Sequence, residues 1–229
     1  MSDEGLYGLP PRELVEPAAG AVQFSPLIPG SQALEAQADQ SLHAITILAP
    51  PGTVERRYVL AQGLRALKVG GGMTVLAPKA KGGSRLAKEL KAFGLEVAED
   101  ARRHHRICEV VRPAEPDLAE ALAAGAPRLS PDLGLWTQPG IFSWDRIDPG
   151  TALLLGRLPP QAGVGADFGC GLGYLAHGVL ASAAVTRLTL IDIDRRAVAC
   201  ATRNVNDPRA QVVWADIRQG GLGLSDLDF

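Results

Sequence analysis

The amino-acid sequence predicts an α/β fold built on a parallel sheet, and two neighbouring segments carry that prediction. A short apolar strand at 164–168 runs into a loop that contains Gly169, Gly171 and Gly173. A second apolar strand, at 188–191, ends in Asp192. Glycines at such a turn let the backbone approach a ligand, and an acid at the tip of the next strand accepts hydrogen bonds from ribose hydroxyls. Together the two segments predict a nucleoside-cofactor site at one edge of the sheet.

The spacing of the glycines indicates which kind of cofactor to expect. They follow the pattern G-x-G-x-G, whereas a dinucleotide fingerprint reads G-x-G-x-x-G. Asp167 precedes them, at a place where its charge would repel a pyrophosphate but attract a cationic ligand with an amino-acid tail. A third apolar strand, at 211–215, ends in Asp216. Three strands and three acids in register favour a ligand site over an ordinary tight turn.

Composition narrows the class of protein. A length of 229 residues allows one large domain or two small ones. The net charge of −2 argues against binding a polyanion over the whole surface, so any nucleic-acid contact needs a local patch. The three cysteines form no C-x-x-C pair, which predicts reduced thiols, no zinc site and a cytoplasmic protein. No secretory signal and no apolar run of about 18 residues is visible, so we expect no membrane partner.

The first region predicts alternating strands and helices. Its expected strands cover 44–48, 73–77, 95–98 and 106–111, and its helices cover 54–67 and 84–93. Gly70–Gly72 is expected to end the first helix, and Ser84 to cap the second. A Pro- and Ala-rich connector follows. Asp148 and Asp194 are predicted N-caps of two later helices, the first with Pro149 at its first position. We therefore predict a domain at 1–112, a linker at 113–147 and a second domain at 148–229.

The D-x-G-x-G-x-G pattern from Asp167, followed about 20 residues on by an acid, resembles the class I S-adenosylmethionine (SAM)-dependent methyltransferases. The resemblance implies a Rossmann-like architecture with sheet order 3-2-1-4-5-7-6. Residues 1–112 resemble the second half of such a domain, without the glycine loop and without a first strand. The chain would thus hold two tandem methyltransferase-like regions, the first degenerate. The implied SAM-binding residues are Asp167, Gly169, Cys170, Gly171, Gly173, Asp192, Ile193 and Asp216, with Cys170 only filling space.

A longer segment narrows the family. Pro139-Gly-Ile-Phe-Ser143, with the residues up to Leu155, resembles the segment before the catalytic domain of bacterial small-subunit (16S) rRNA guanine-N2 methyltransferases. The run from Ala77 to Ser84 resembles a loop in the first domain of that family. The resemblance implies methyl transfer from SAM to the exocyclic N2 of a guanine, with ribosomal RNA or the small ribosomal subunit as partner.

One motif of that family does not occur. Its N-P-P-F/Y run holds the target amine at the end of strand four, and no such run is present in this sequence. Ala49-Pro-Pro51 has the equivalent place in the first region, without the Asn. We therefore assign no catalytic residue, expect the second methyltransferase-like region to be incomplete, and expect this chain to be inactive alone. A protein-glutamine or small-molecule N-methyltransferase, and a non-catalytic SAM-binding or assembly module, remain as alternatives.

The basic residues of the first region form the candidate RNA contact. The run from Arg102 to Arg106 is the densest, and the alternative is a solvated hairpin edge. The candidates are Lys79, Lys81, Arg85, Arg102, Arg103 and Arg106. No metal site is expected at His104 and His105, which lack a third ligand at metal spacing. We expect Trp136, Phe142 and Trp144 to pack the connector onto a core rather than to stack on bases.

Overall fold

The computed structural model describes residues 3–220 and 222–229. The chain divides into two compact units, one of Met1–Ser25 with Gly30–Ala126 and one of Pro26–Pro29 with Pro127–Phe229. Each unit builds its own main sheet, of six and of three strands respectively. The segment at 113–147, which we expected to be a separate linker, is shared between the units, since residues up to 126 belong to the first and the rest to the second.

The first unit contains the following elements. Its strands are β1 (Glu4–Tyr7), β2 (Val22–Gln23), β3 (Leu42–Leu48), β4 (Leu67–Pro78), β5 (Ala98–Arg102) and β6 (His105–Val111). Its α-helices are α1 (Thr53–Ala66), α2 (Leu86–Lys91) and α3 (Ala119–Gly125), with single 3₁₀ turns at Leu34–Ala36, Lys79–Lys81 and Gly83–Arg85. Leu60 and Leu64 of α1 are fully buried in the core, together with Ile47 and Val75 of the sheet.

The sheet of the first unit has the order β2-β1-β3-β4-β6-β5. The first four strands are parallel, and β6 runs antiparallel between β4 and β5. This arrangement matches 2-1-4-5-7-6 of the expected class, with β1 in the place of the first strand. The expectation that this region lacks a first strand is therefore wrong. β1 is only four residues long, and Gly5 lets Phe24 and Ile45 approach it closely.

Three local expectations in this unit are also wrong. Gly70–Gly72 does not end α1 but lies within β4. Ser84 makes no side-chain cap, because it lies inside the turn Gly83–Arg85 and α2 begins after it. The strand expected at 95–98 is displaced to Ala98–Arg102, where backbone pairing with β6 defines it.

The second unit has the elements β7 (Arg128–Leu129), β8 (Trp136–Thr137), α4 (Pro149–Leu155), β9 (Gly163–Phe168), α5 (Tyr174–Leu180), β10 (Val185–Asp192), α6 (Arg195–Asn204) and β11 (Ala210–Trp214). Its main sheet is parallel, in the order β11-β10-β9, which matches 3-2-1 of the class. Leu188 and Leu190 of β10 are buried in one cluster with residues of both α5 and α6. No helix among the described residues is long and apolar enough to cross a membrane.

Both predicted helix caps of this unit are confirmed. The Oδ2 atom of Asp148 accepts a hydrogen bond from the Thr151 N–H at 2.8 Å, and Pro149 opens α4. The Oδ1 atom of Asp194 accepts one from the Arg196 N–H at 2.9 Å at the start of α6. Along the other edge of β9, the Ala166 N–H donates to the carbonyl of Phe229 at 3.1 Å. The carboxyl ends of β9, β10 and β11 thus lie side by side.

Candidate cofactor-binding site

The glycine loop follows β9 directly. Gly169, Gly171 and Gly173 have φ values of +86°, +53° and +79°, all in the left-handed region that favours glycine. A Cβ atom added at Gly169 or Gly171 would meet nothing within 4 Å, whereas one at Gly173 would lie 2.7 Å from Cγ2 of Val205. The first two glycines therefore border open space, and the third allows close packing on the end of α6.

Asp192, at the end of β10, holds this loop in place. Its Oδ2 atom accepts a hydrogen bond from the Gly171 N–H at 2.9 Å, and its Oδ1 atom accepts one from the Asp194 N–H at 2.8 Å. A carboxylate offers about four lone-pair sites, so each oxygen can still accept another donor. Asp192 is thus both an anchor of the loop and an acceptor available to a ligand.

Asp167, near the end of β9, carries an unusual carboxylate. Its Oδ2 atom is buried and has no hydrogen-bond partner among the described residues. Burial raises the pKa of Asp167, and the negative charge of Asp192 raises it further. A buried acceptor without a donor is costly, and here the cost includes repulsion from a second carboxylate. A cation that donates hydrogen bonds would relieve both effects.

Asp167 and the glycine loop line a pocket of about 100 Å³. Its other walls come from α4, from the start of α5 and from the segment before α4, and include Phe142, Ser143, Asp148 and Thr151. Ligand pockets usually measure about 300–1,000 Å³, so this one holds only part of a large ligand. Asp192 and Asp216 are not among its lining residues. The pocket therefore corresponds in size and charge to the amino-acid end of a nucleoside cofactor.

Aromatic residues before α4 divide into two kinds. Trp136 and Trp144 pack against the cluster around buried Ile141, as predicted. Phe142 is 74 % exposed and lines the pocket, so the expectation that it packs onto a core is wrong. The reason is local, because Ser143 has a left-handed φ of +51° that turns the chain between Phe142 and Trp144. Sequence reasoning used this segment only to identify a family, although that same signal pointed to the pocket wall.

The remaining predicted cofactor residues lie at the ends of β10 and β11. The carbonyl of Ile193 accepts a hydrogen bond from the Trp214 indole N–H at 2.8 Å. The Asp216 carboxylate accepts hydrogen bonds from the Arg218 guanidinium, which lowers the pKa of Asp216 to about 2. Burial raises the pKa of the Cys170 thiol, and Asp192 and Asp167 raise it further, so Cys170 stays protonated. Among the described residues no group of acids, histidines and cysteines is placed to hold a metal.

The equivalent places in the first unit are occupied by protein side chains. After β1, the Gln23 amide donates to the carbonyl of Gly8 at 2.9 Å and its oxygen accepts the N–H of Ser25 at 2.9 Å. After β3, buried Arg56 donates to the carbonyl of Pro51 at 2.7 Å. The candidate RNA contacts also lie in this unit, in the turns that follow β4 and β5.

Comparison with known proteins agrees with this architecture. A T. thermophilus 16S rRNA N2 methyltransferase, solved in complex with AdoMet and guanosine, matches with a TM-score of 0.73 and 19 % identity, over 94 % of this chain and 66 % of that one. A family model described as methyltransferase small domain matches residues 132–225. The chain therefore has the α/β fold of the Rossmann-like class I methyltransferases.

Sequence relatives specify the family within this class. Ribosomal RNA small subunit methyltransferase C of Pseudomonas aeruginosa is 33 % identical over 206 residues, 87 % of this chain and 62 % of that protein. The protein of the same name from Stutzerimonas stutzeri is 31 % identical over 229 aligned residues, 92 % of this chain and 69 % of that protein. The chain belongs to the ribosomal RNA small subunit methyltransferase C family, and it spans 62 % of the length of the P. aeruginosa relative.

Proposed function

We propose that the second unit binds SAM and serves methyl transfer to the exocyclic N2 of a guanine in small-subunit ribosomal RNA. Membership of the ribosomal RNA small subunit methyltransferase C family supports the RNA substrate. The observation that carries the cofactor is the buried Oδ2 atom of Asp167, which has no partner among the described residues and lies beside the glycine loop. When bound, SAM supplies an electrophilic methyl group on a sulfonium.

The residues of this site fit SAM along its length. In our proposal the ammonium of the amino-acid tail donates to Asp167, and Asp192 accepts from the ribose hydroxyls. Gly169 and Gly171 leave space for the ligand, and Cys170 keeps the loop compact. At the adenine end, the proposal assigns Ile193 and Asp216. Gly173 acts through the fold, because its role is the close approach to Val205.

Electrostatics favours SAM over a dinucleotide. Asp167 and Asp192 are close enough that the charge of Asp192 raises the pKa of Asp167. A pyrophosphate would add negative charge to that pair, whereas SAM brings an ammonium and a sulfonium. A cation bound to Asp167 favours its ionised form, so SAM affinity should rise with pH and level off above the raised pKa of Asp167 in the free protein.

The chemical step itself has no assigned residue in this chain, since the N-P-P-aromatic run is absent from the sequence. The proposed work of the described residues is to bind and orient the cofactor, which is the main protein contribution in such transfers. The protein-glutamine and small-molecule alternatives share this cofactor site and differ only in the acceptor. An rRNA acceptor would place the protein in the cytoplasm. We also infer that the first unit is a degenerate copy without its own cofactor.

Isothermal calorimetry with SAM and S-adenosylhomocysteine tests the cofactor. Asp192→Ala removes an acceptor whose charge-assisted hydrogen bonds contribute about 1.5–3 kcal/mol, so affinity should fall at least about tenfold. Asp132→Ala is the matched control, because Asp132 is an exposed acid of the same unit outside the pocket. Wild-type affinity in Asp192→Ala, or tighter binding of NAD than of SAM, would contradict the assignment.

A further inference from the structure

Two basic turns of the first unit lie against each other at one end of its sheet. The first, at 79–85, follows β4, and the second joins β5 to β6. The Lys79 N–H donates to the carbonyl of His104 at 2.8 Å, and Pro78 pairs with His105 in the β4–β6 register. Lys79 and His104 both line the shallow hollows between the two turns. The sequence brings these residues together only through the sheet.

The cations at this end differ in whether an acid neutralises them. Each arginine of the second turn has a carboxylate neighbour, in the pairs Arg102–Asp100 at 2.7 Å, Arg103–Glu13 at 3.6 Å and Arg106–Glu99 at 3.6 Å. Lys79, Lys81 and Arg85 of the first turn are exposed and have no ion-pair partner among the described residues. We call these three residues the free basic turn. The six cations that the sequence offers are thus reduced to three with uncompensated charge.

The free basic turn rests on a fixed support. Arg56 beneath it is 1 % exposed, and its guanidinium donates to both carboxylate oxygens of Glu89 at 2.7 Å. Gly82 has a φ of +98°, and a Cβ atom there would collide with the Arg56 guanidinium. A Cβ at Gly83 would lie 2.6 Å from the carbonyl of Ala77. The backbone of the turn is therefore held in one position, and less ordering entropy is lost when its side chains bind a ligand.

We propose that Lys79, Lys81 and Arg85 bind phosphates of the RNA substrate and so make the first unit an RNA-docking surface. The naming of RNA rests on the proposed function. The net charge of −2 leaves little attraction for a polyanion elsewhere, so binding depends on a local set of unpaired cations. Unpaired lysines and arginines release condensed counterions from RNA when they contact phosphates, whereas cations already paired with carboxylates gain less. The free basic turn contributes position and affinity, and no base specificity.

Salt-dependent RNA binding by the full chain tests this surface. The probe is a fluorescein-labelled single-stranded segment of small-subunit rRNA, titrated by anisotropy between about 50 and 200 mM salt. Each phosphate that the protein no longer neutralises lowers the slope of log K against log salt by about 0.7 for single strands. The variant Lys79→Ala, Lys81→Ala, Arg85→Ala should therefore show a slope smaller by about 2. Its affinity at the lowest salt should fall at least about tenfold. Restoring Arg at 79 and 81 should recover most of the slope.

Lys68→Ala is the matched control. Lys68 is an exposed lysine of the same unit at the opposite end of β4, where it pairs with Asp3. Its removal changes the net charge by the same amount per residue and should leave the slope unchanged. The proposal is overturned if the triple variant keeps the wild-type slope, or if Lys68→Ala lowers it as much per charge. The assay contains no SAM, so failure of cofactor binding at Asp192 and failure of this surface give separate results.

Discussion

Replacing Asp167 with Asn should make the free protein more stable and SAM binding weaker. The carboxylate of Asp167 has a buried Oδ2 atom without a partner among the described residues, and Asp192 repels its charge. Leaving a buried acceptor unsatisfied costs about 1–3 kcal/mol, and Asn removes the charge while keeping the shape. We expect a gain in unfolding free energy of about 1 kcal/mol, which corresponds to about 4–8 °C for a domain of 60–100 residues.

Saturation with SAM should reverse this order. At a hundred times its dissociation constant a ligand stabilises the folded state by about 2.7 kcal/mol. If the variant loses one charge-assisted hydrogen bond of about 2 kcal/mol, the same SAM concentration adds only about 0.9 kcal/mol to it. The wild-type protein then exceeds the variant by about 0.8 kcal/mol, although it starts about 1 kcal/mol below.

Tryptophan fluorescence is the suitable assay, because all three tryptophans, Trp136, Trp144 and Trp214, belong to the second unit. Melting curves with and without SAM then report on the unit that carries Asp167. The folded-state pKa of Asp167 is raised, so its cost is absent below the unfolded value of about 3.9 and appears as pH rises through the folded value. The advantage of the variant should therefore shrink in acid. Lower stability of Asp167→Asn without SAM, together with unchanged SAM affinity, would refute the reasoning.

Three further outcomes are expected. Gly171→Ala should weaken SAM binding at a folding cost of about 1–2 kcal/mol for its left-handed φ, whereas Gly173→Ala should lower the fluorescence melting temperature more, since its Cβ also meets Val205; equal melting temperatures would contradict this. Glu89→Gln leaves the buried charge of Arg56 unpaired and should destabilise the first unit by about 3–5 kcal/mol in calorimetry, with Glu96→Gln, an exposed acid, as control. The polypeptide 1–229 should show no transfer of tritiated methyl to small-subunit RNA, because it lacks an N-P-P-aromatic run; turnover above background would show that the catalytic residues lie elsewhere.

The sequence predicts the second unit well because its signals are local. β9, β10 and β11 are continuous apolar runs that end in glycine or acid, and Asp148 and Asp194 cap helices through bonds to residues two or three positions away. In the first unit the decisive contacts are distant in sequence. β1 is too short to show a periodicity, and pairing with β3 and β2 makes it a strand.

The candidate site divides in the same way. The identity of its acids follows from strand ends, but the isolation of the Asp167 carboxylate depends on what the neighbouring strands bring near it. The pairing of the basic residues was partly readable, since Asp100 and Arg102 lie two positions apart and share one face of β5. Pairing of Arg103 with Glu13 depends on the tertiary fold and gives no sequence signal.

The two units show how similar sheets acquire different roles. Each has parallel strands whose carboxyl ends meet at one edge, where ligands bind in open α/β sheets. In the second unit that edge presents Asp167 and Asp192, whose unmet hydrogen-bonding capacity favours a cation. In the first, the polar groups at the edge satisfy one another, since Gln23 bonds to backbone atoms of its own unit and Arg56 pairs with Glu89. An edge that satisfies itself has no capacity left for a small ligand. What it offers instead is a fixed support for exposed cations above it, which is the property that an RNA-docking surface requires.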